Sequence, residues 1–463
     1  MVDIVVIGAG AAGMMAAYAA ARSGAKVVLV ERNHHPGRKI LLTGKGRCNV
    51  TNGTDPQGIV AAFPETGRFL LGPVSRFTPD DLMRFIQEQG VPLKVERGRR
   101  VFPESDRSSD IVRALRNAAA GAGVQFRPDS RVERVDECKA QHDGGDNRHI
   151  FQIAFSGGGG GGGGVGGVQD VLGSQAGPHS QDALQCKAVI IATGGLSYPA
   201  TGSTGDGYRF ARQYGHTIAN PFPSLVPLET TEKWVPQLQG LSLKNVTMRA
   251  LSGEQIIGEE FGEMLFTHYG VSGPIVLSLS RAVVRAMQPG TGAAAFTAGK
   301  AQKVPAMRIV LELDLKPALD IEKLDARVVR DWTSISRKHF SNALDALLPK
   351  KMIPVIIALC GIDGDTPVNQ ITREQRLGLV SLLKKLVMTV TGYRPIAEAI
   401  VTSGGVNIKE INARTMESKL APGLFFAGEV IDVDGYTGGY NLQAAFSTGY
   451  AAGVGAAEYC HKN

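Results

Sequence analysis

The sequence predicts an α/β protein whose parallel sheet is begun by the first 31 residues and completed by the last 40, with a middle region inserted between them. Three observations predict this. A strand, a glycine turn, a helix and a second strand follow one another from Asp3 to Glu31. A buried strand at Ala188–Ala192 runs into small residues, and another at Gly423–Ala427 precedes a glycine turn and a helical pattern. Strands that alternate with helices in this way form parallel sheets.

Length and composition indicate a soluble globular protein with more than one domain. The chain has 463 residues, which is too long for a single core, and 43% of them are hydrophobic. The longest apolar stretch, Met352–Cys360, is about half of a membrane span. Five widely spaced cysteines argue against a disulfide scaffold and against a zinc ribbon. We therefore expect a cytoplasmic protein with no membrane segment, no targeting segment and no metal site.

The net charge of +7 is mild for this length and predicts an ordinary solvated surface. A polyanion such as RNA is the alternative partner, and one local cluster of cations keeps it open: Lys94, Arg97, Arg99, Arg100 and Arg107. Acidic residues interrupt this cluster, and no nucleic-acid-binding motif accompanies it. We therefore do not expect nucleic acid as the partner.

The first glycine turn has the spacing that binds a dinucleotide diphosphate. Gly8 permits the tight turn, Gly10 lets the diphosphate approach the backbone, and Gly13 lets the helix pack on the sheet. The helix then begins at Ala11 and Ala12, whose amides face the phosphates.

Glu31 ends the second strand, where a carboxylate accepts hydrogen bonds from a ribose and disfavours the 2′-phosphate of NADP. Arg32 follows it and is a further candidate for the cofactor site. Two later segments favour FAD over NAD, because such segments adjoin FAD in flavoproteins with two dinucleotide folds. One is the Thr193-Gly194-Gly195 turn, and the other is the Gly428-Glu429 pair.

Further candidate residues follow the ribose acid and precede the last helical pattern. We expect the first group beside the diphosphate and flavin, and the second at a helix start that faces the negative charge of reduced flavin. The first group is Lys39, Thr43, Gly44 and Asn49, and the second is Gly438, Gly439, Tyr440 and Asn441. Lys45 and Arg47 are either ligand contacts or surface cations, and Cys48 is either a packing residue or a redox-active thiol.

Catalytic side chains are harder to predict. The ordinary pKa of histidine, about 6.5, suits a proton donor beside a flavin. His268, which precedes a glycine turn, is the candidate, although a structural role is an equal alternative. Tyr198, Tyr436 and Tyr440 either orient a substrate or pack in the core.

The expected domain boundaries follow the pattern changes along the chain. We place the first part of the FAD domain at 1–197, an inserted β-rich domain at 198–320, an inserted helical subdomain at 321–390 and the second part of the FAD domain at 391–463. The glycine tract at 157–167 is expected to be a hairpin tip.

Several longer segments resemble the BaiN-type flavoproteins, also called aminoacetone-oxidase-family FAD-binding enzymes. The segments span residues 37–52, 100–103, 266–274, 402–406 and 428–443. The resemblance covers nearly the whole chain. It implies a glutathione-reductase-type, Rossmann-like FAD domain with an inserted β-rich and helical region.

The resulting functional hypothesis is an FAD-dependent oxidoreductase that transfers hydride between flavin N5 and a small organic molecule. The resemblance implies either reduction of an enone C=C bond or oxidation of an amine. A tRNA-modifying or RNA-binding flavoprotein and a non-catalytic flavin-binding protein are the alternatives. No second strand–glycine–helix unit occurs in the middle of the sequence, so NAD(P)H is a candidate electron donor without a domain of its own.

Overall fold

The computed structural model describes residues 1–140, 148–156, 183–288 and 308–463. It divides the chain into two compact units, of which the first comprises Met1–Phe222 and Val401–Asn463 and the second comprises Pro223–Ile400. The chain therefore leaves the first unit once and returns to it. The predicted glycine hairpin tip at 157–167 lies outside the described residues.

Up to the start of the second unit, the chain combines helices with strands. In chain order they are β1 (Val2–Ile7), α1 (Ala11–Arg22), β2 (Val27–Val30), α2 (Arg38–Leu42), β3 (Thr51–Asn52), α3 (Pro56–Ala61), α4 (Gly67–Arg76), α5 (Pro79–Glu88), β4 (Leu93–Glu96), β5 (Arg100–Pro103), α6 (Ser108–Gly121), β6 (Gln125–Arg127), β7 (Val132–Ala140), β8 (Arg148–Phe155), β9 (Ala183–Ile191), α7 (Asp206–Gln213) and β10 (Ile218–Ser224).

The second unit combines antiparallel strands with helices. They are β11 (Leu228–Thr230), β12 (Ser242–Ser252), β13 (Gln255–Phe266), β14 (Gly270–Ser272), α8 (Pro274–Met287), β15 (Ile309–Asp314), α9 (Ile321–Thr333), α10 (Phe340–Ala343), α11 (Ile353–Cys360), α12 (Arg373–Lys384) and β16 (Leu386–Tyr393). The chain then re-enters the first unit as β17 (Val401–Val406), β18 (Leu424–Phe426) and α13 (Tyr440–Lys462).

The main sheet of the first unit has the strand order β6-β2-β1-β9-β8-β7. β1 pairs in parallel with β2 and with β9, and β2 pairs in parallel with β6. β9 is long enough to pair with β8 along its first half and with β18 along its second half. The central strands are runs of buried Val and Ile, as expected for a parallel sheet covered on both faces.

The first and last helices of the chain pack closely because small residues line their contact. A Cβ on Gly449 would lie 2.3 Å from the carbonyl oxygen of Ala12, and one on Gly453 would lie 2.2 Å from that of Ala16. Glycine is therefore required at both positions of α13. This contact fixes the C-terminal helix against the helix of the first βαβ unit.

The second unit contains a closed barrel with the strand order β11-β14-β13-β12-β15-β16. Two of its elements differ from the sequence expectation. α8 lies within the segment interpreted as short strands, although Pro274 at its first position and its buried apolar residues are typical of a helix. β16 occupies residues 386–393, of which 386–390 were assigned to the helical subdomain. Its alternating burial marks a barrel strand.

The start of the second unit also differs from the expected position of the inserted region, at 198. Residues 206–214 pack on the first unit instead, where the Gln213 amide and the Tyr214 hydroxyl donate to the Val135 carbonyl over 2.7 and 2.8 Å. The β10 strand then carries the chain into the second unit, which begins at Pro223.

Candidate functional site

The carboxyl ends of four parallel strands meet at one edge of the main sheet. Ile7 pairs with both Val30 and Ile191, and Ile191 pairs with Phe426. The segments that follow these residues therefore start side by side. They carry the glycine turn, Glu31, the Thr193-Gly194-Gly195 turn and the Gly428-Glu429 pair. Open parallel sheets bind their ligands at this edge.

The three glycines of the first turn meet different surroundings. Gly8 has φ +103°, and a Cβ there would lie 2.6 Å from the carbonyl oxygen of Ala192. A Cβ on Gly13 would lie 1.8 Å from the carbonyl oxygen of Gly8. A Cβ on Gly10 would meet no atom within 4 Å. Packing within the protein accounts for Gly8 and Gly13, whereas Gly10 borders open space.

That open space lies over the N-terminus of α1. Gly10 is the N-cap residue, and no side chain among the described residues caps the helix. Met14 is the first residue whose amide bonds back, to the Gly10 carbonyl over 3.0 Å. The amides of Ala11 and Ala12 have no acceptor within the helix, because a first turn lacks them. The helix therefore presents free donors and a positive dipole end, which suit a diphosphate.

Glu31 is held at the rim of this space. Its Oε2 accepts from the Ala9 amide over 2.8 Å, and its Oε1 accepts from the Asn33 amide and side chain over 2.9 and 2.7 Å. An ionised carboxylate has about four acceptor sites, so one site on Oε2 is left for a further donor. The neighbouring Arg32 forms an ion pair with Asp206 at 3.4 Å, which directs its guanidinium towards the turn before α7.

The segment after α2 follows the same edge with an irregular backbone. Gly44, Lys45, Gly46 and Cys48 have φ values of 58°, 59°, 85° and 60°, all in the left-handed region. The Lys45 side chain is exposed. The Asn49 Oδ1 atom is buried, and no hydrogen-bond donor reaches it among the described residues. An unsatisfied buried acceptor in this segment is a feature that a bound ligand would explain.

The side chains of Arg47 and Cys48 make their contacts with other residues of the protein. The Arg47 guanidinium stacks on the Phe102 ring at 4.1 Å and forms ion pairs with Glu96 and Asp106. The Cys48 thiol is fully buried, and burial raises its pKa to about 12 in spite of a hydrogen bond with the Thr43 side chain. At neutral pH this cysteine is a thiol, so the geometry favours the packing role over the redox role.

A partly buried polar cluster joins the strand ends. The Lys39 ammonium contacts the Glu429 carboxylate and donates to the Ser197 hydroxyl over 2.5 Å. Glu429 Oε1 accepts from the Ser197 hydroxyl over 2.7 Å and from the Thr402 amide over 2.9 Å. Burial acts to raise the pKa of Glu429, but the Lys39 charge and these hydrogen bonds outweigh it, so the pKa lies below its ordinary value.

The Thr193-Gly194-Gly195 turn packs against this cluster. Gly194 has φ +74°, and a Cβ on Gly195 would lie 2.5 Å from the Thr402 hydroxyl and 3.0 Å from Glu429. The Thr193 hydroxyl is buried with no partner among the described residues and faces Gly207. Gly428 has φ +76°, and its close approach to Ala12 brings the Glu429 turn against α1.

The N-terminus of α13 meets the segment after Asn49. Gly438 and Gly439 have φ values of 126° and 97°, and the Asn52 side chain donates to the Gly438 carbonyl over 3.2 Å. Asn441 closes its own loop, because its side chain accepts from the Gly435 amide and donates to the Gly435 carbonyl. Within the described part of the chain no side chain caps α13, so its first amides lack a helical or side-chain acceptor there as well. Burial raises the pKa of Tyr440.

The candidate proton donor lies in the second unit. His268 is exposed, on the turn between β13 and β14, and its ring meets the Tyr269 ring edge-on at 4.8 Å. The Arg394 guanidinium in turn stacks on the Tyr269 ring at 4.7 Å. Tyr198 and Tyr436, the other candidates, are half-buried residues of the first unit.

Sequence reasoning missed the polar residues that support the predicted ones. Asn33 supports Glu31, Ser197 and Thr402 support Glu429, and the Thr51 hydroxyl bonds to the Gln443 side chain over 2.6 Å. Thr402 belongs to the segment 402–406, which resembles the BaiN-type flavoproteins, and this resemblance was the signal that could have identified it. Ser197 and Asn33 follow recognised motifs by two residues and carried no signal of their own.

The chain matches the family model described as HI0933-like protein Rossmann domain over residues 2–167 and 168–455. The chain belongs to the HI0933-like family. Its α/β fold with a Rossmann FAD domain and its BaiN-type resemblance are thereby confirmed. This HI0933-like protein is an FAD-dependent oxidoreductase with FAD as its cofactor.

Three relatives extend along nearly the whole HI0933-like chain. A Haemophilus influenzae protein named ribosomal RNA dihydrouridine synthase is 31% identical over 97% of both chains. A Clostridium scindens protein named 3-dehydro-bile acid delta(4,6)-reductase is 31% identical over 98% of both chains. An Escherichia coli protein with the same name as the first is 30% identical and covers 97% of this chain and 96% of its own.

The residues of this HI0933-like site fit FAD. The open space over α1, its uncapped amides and the free acceptor site of Glu31 suit an adenosine diphosphate. The unsatisfied Asn49 Oδ1 suits an N–H or hydroxyl donor of the cofactor. In the part of the chain that the structure describes, no helix is both long and apolar enough to span a lipid bilayer.

Proposed function

We propose that this protein reduces a C=C bond conjugated to a carbonyl group in a small organic substrate. The observation that carries the proposal is the relationship, over 98% of both chains, to a protein named 3-dehydro-bile acid delta(4,6)-reductase. That name denotes the reduction of C=C bonds conjugated to a ring ketone. The same kind of bond, beside a carbonyl, is saturated when uridine becomes dihydrouridine, so the names of the relatives describe related chemistry.

Each part of the candidate site has a task in this reaction. When bound, FAD supplies the hydride from N5 of its reduced ring. The uncapped amides of α1 would hold the diphosphate and Glu31 the adenosine ribose. The N-terminus of α13 would face the pyrimidine end of the ring system, where reduction adds negative charge. Thr43, Gly44, Asn49, the Thr193-Gly194-Gly195 turn and Glu429 would line the remainder of the cofactor, and Lys39 would hold Glu429 in place.

Saturation of a C=C bond also requires a proton at the carbon that does not receive hydride. We propose that His268 supplies it, because its imidazole is exposed and histidine is the most common general acid in enzymes. NAD(P)H is proposed as the electron donor. It would bind transiently, because the sequence has one dinucleotide-binding glycine turn of the strand–helix kind.

Ribosomal RNA is the alternative substrate, and one cation of the cluster that motivated RNA as a partner is already paired with a carboxylate. In the cluster that motivated it, Lys94 forms an ion pair with Asp106 at 2.7 Å, and the adjacent Arg47 is held by the same carboxylate. Neutralised cations attract phosphates less strongly. The small-molecule substrate is therefore the proposal, and RNA is one outcome of its test.

The test is anaerobic reduction followed by selective re-oxidation. The FAD-loaded protein is mixed with NADH, NADPH or dithionite, and the reduced protein is mixed with a conjugated dienone steroid, simple enones, the matched saturated ketones or ribosomal RNA. We expect the flavin absorbance to return with the enones alone, together with a product that has gained two hydrogens. Re-oxidation by RNA and not by any enone would show that RNA is the substrate in place of a small molecule. Re-oxidation by oxygen alone would refute the proposal.

A further inference from the structure

Lys39 and Glu429 link two strand ends that lie far apart in the sequence. Lys39 belongs to α2, after β2, and Glu429 follows β18. Their side chains are 23% and 17% exposed, so this ion pair is shielded from solvent, unlike a surface pair. Ser197 completes the contact, since it accepts from Lys39 and donates to Glu429.

The acceptor sites of Glu429 are nearly all in use. Its Oε1 accepts from Ser197 and from the Thr402 amide, and its Oε2 accepts from Lys39. An ionised carboxylate has about four acceptor sites, so one site on Oε2 has no donor within the described residues. The carboxylate lies at the carboxyl edge of the sheet, beside the Gly195 turn. It is therefore a fixed acceptor at the edge of the sheet where the cofactor-binding turns meet.

We propose that Lys39 is a positioning residue for FAD: it neutralises and orients the Glu429 carboxylate, whose free acceptor site then takes a hydroxyl of the ribityl chain. Lys39 itself does not bind the diphosphate in this arrangement. Two of its roughly three N–H donors are already used by Glu429 and Ser197. The inference rests on FAD as the cofactor and is independent of which substrate is reduced.

A double-mutant cycle separates this role from a direct contact with FAD. The apoproteins of wild type, Lys39→Met, Glu429→Gln and Lys39→Met/Glu429→Gln are titrated with FAD, and binding is followed by quenching of the flavin fluorescence. If Lys39 acts through Glu429, adding Lys39→Met to the Glu429→Gln variant costs no further affinity. A direct contact would cost about tenfold in both backgrounds, because independent contributions add. Such additivity would overturn the proposal.

The pH dependence of the same titration supplies a second readout. In Lys39→Met the Glu429 carboxylate loses its cation, so burial raises its pKa, and the anionic cofactor binds best when the carboxyl is protonated. We expect FAD affinity in this variant to fall as pH rises, by up to about tenfold per pH unit for one linked proton. Wild type, Lys39→Arg and the double variant should show no such slope. A loss of affinity that is equal at every pH would indicate a merely structural role and overturn the proposal.

Lys26→Met is the matched control, because Lys26 is exposed and precedes β2 at the opposite edge of the sheet. It should bind FAD as wild type does at every pH. If Lys39→Met fails to fold, the FAD affinities of Glu429→Gln and of the double variant can still be compared. The double variant contains no buried unpaired charge. Since the readout is FAD binding, failure of the enone experiment leaves this test unaffected.

Discussion

The backbone of Gly13 approaches that of Gly8 so closely that a Cβ on Gly13 would lie 1.8 Å from the Gly8 carbonyl oxygen. A Cβ on Gly10 would meet no atom within 4 Å, and the φ of Gly10, −80°, is ordinary for any residue. Two glycines of one motif therefore obey different constraints. Packing within the protein requires Gly13, whereas the space that a cofactor would occupy requires Gly10.

Gly10→Leu and Gly13→Ala should separate these constraints. We expect Gly10→Leu to weaken FAD binding at least about tenfold, or 1.4 kcal/mol, because the side chain fills the diphosphate space. The free energy of unfolding of its apoprotein should stay within about 0.5 kcal/mol of wild type. Gly13→Ala should instead destabilise the apoprotein by about 1–3 kcal/mol or more, because its Cβ meets backbone atoms. Urea unfolding and FAD titration measure the two effects. An unchanged FAD affinity in Gly10→Leu would show that the diphosphate does not bind at the N-terminus of α1.

Glu31→Ala should release FAD during gel filtration. The carboxylate orders the Ala9 amide and would accept a ribose hydroxyl, and a hydrogen bond to a charged group contributes about 1.5–3 kcal/mol, or roughly ten- to hundredfold in affinity. Glu31→Gln keeps one oxygen acceptor, so its loss should be intermediate. Flavin content after desalting and the FAD dissociation constant measure the change. Full occupancy in Glu31→Ala would rule out a ribose role.

Asn49→Leu should change apoprotein stability and FAD affinity in opposite directions. The variant removes a buried acceptor without a partner, so the apoprotein should be more stable by up to about 1–3 kcal/mol. FAD binding should weaken, because the cofactor loses that acceptor. Thr66→Val is the matched control, since the Thr66 hydroxyl is also buried and unpartnered among the described residues but lies outside the predicted site. It should stabilise the apoprotein and leave FAD affinity unchanged. An equal FAD affinity in Asn49→Leu would show that Asn49 does not contact the cofactor.

Cys48 should be chemically silent in the folded protein. Burial raises its pKa to about 12, so iodoacetamide at pH 8 should modify the partly exposed Cys138 and leave Cys48 unmodified until the protein is unfolded. Mass spectrometry of the peptides reports both sites. Cys48→Ala should keep the rate of flavin reduction within about twofold of wild type, since a barrier change of 1.36 kcal/mol would be tenfold. A larger loss of rate would indicate that the Cys48 thiol has a redox role.

His216 is buried as a neutral imidazole with an assignable tautomer. The Ser418 hydroxyl oxygen accepts from the amides of Leu420 and Ala421, so its own hydrogen is donated to His216 Nε2 over 2.7 Å. His216 Nδ1 therefore carries the proton and donates to Glu410 over 3.2 Å. Burial lowers the pKa of His216, and the opposing charge of Glu410 does not cancel this effect.

This arrangement predicts a stability loss in mildly acidic solution. Because the pKa of His216 is lower in the folded state than its ordinary 6.5, the unfolded chain binds more protons between the two values. The free energy of unfolding should be level above about pH 6.5 and fall as the pH drops towards the folded pKa. His216→Gln should remove that part of the pH dependence, measured by urea unfolding at several pH values. Identical pH profiles for the two proteins would contradict the neutral assignment.

The sequence predicted the sheet edge because its signals are local. Each strand is a short run of buried residues followed directly by a glycine turn or, after β2, by an acidic residue, so Gly8–Gly13, Glu31 and Glu429 could be recognised separately. The Lys39–Glu429 pair could not be predicted, because it depends on the register of strands separated by hundreds of residues. Ser197 and Thr402 escaped for the same reason, since only the folded sheet brings them to Glu429.

The second unit was harder to predict because its signals are ambiguous at short range. α8 begins directly after the glycine-rich β14 segment, and its β-branched Ile and Val residues are also common in strands. β16 follows α12 directly, so no turn residue separated it from the helical segment. In the barrel, β16 pairs with β11 and β15, and this tertiary pairing determines its conformation more strongly than its local sequence pattern does.

The close packing of α13 on α1 has a consequence for biosynthesis. The helix that Gly449 and Gly453 dock against Ala12 and Ala16 is synthesised long after the helix that it covers. Until then, the early βαβ unit lacks the β18 strand, the Glu429 turn and its helical cover. Newly made chains must therefore wait until α13 has left the ribosome before they can bind FAD, and chains that terminate before α13 should remain colourless.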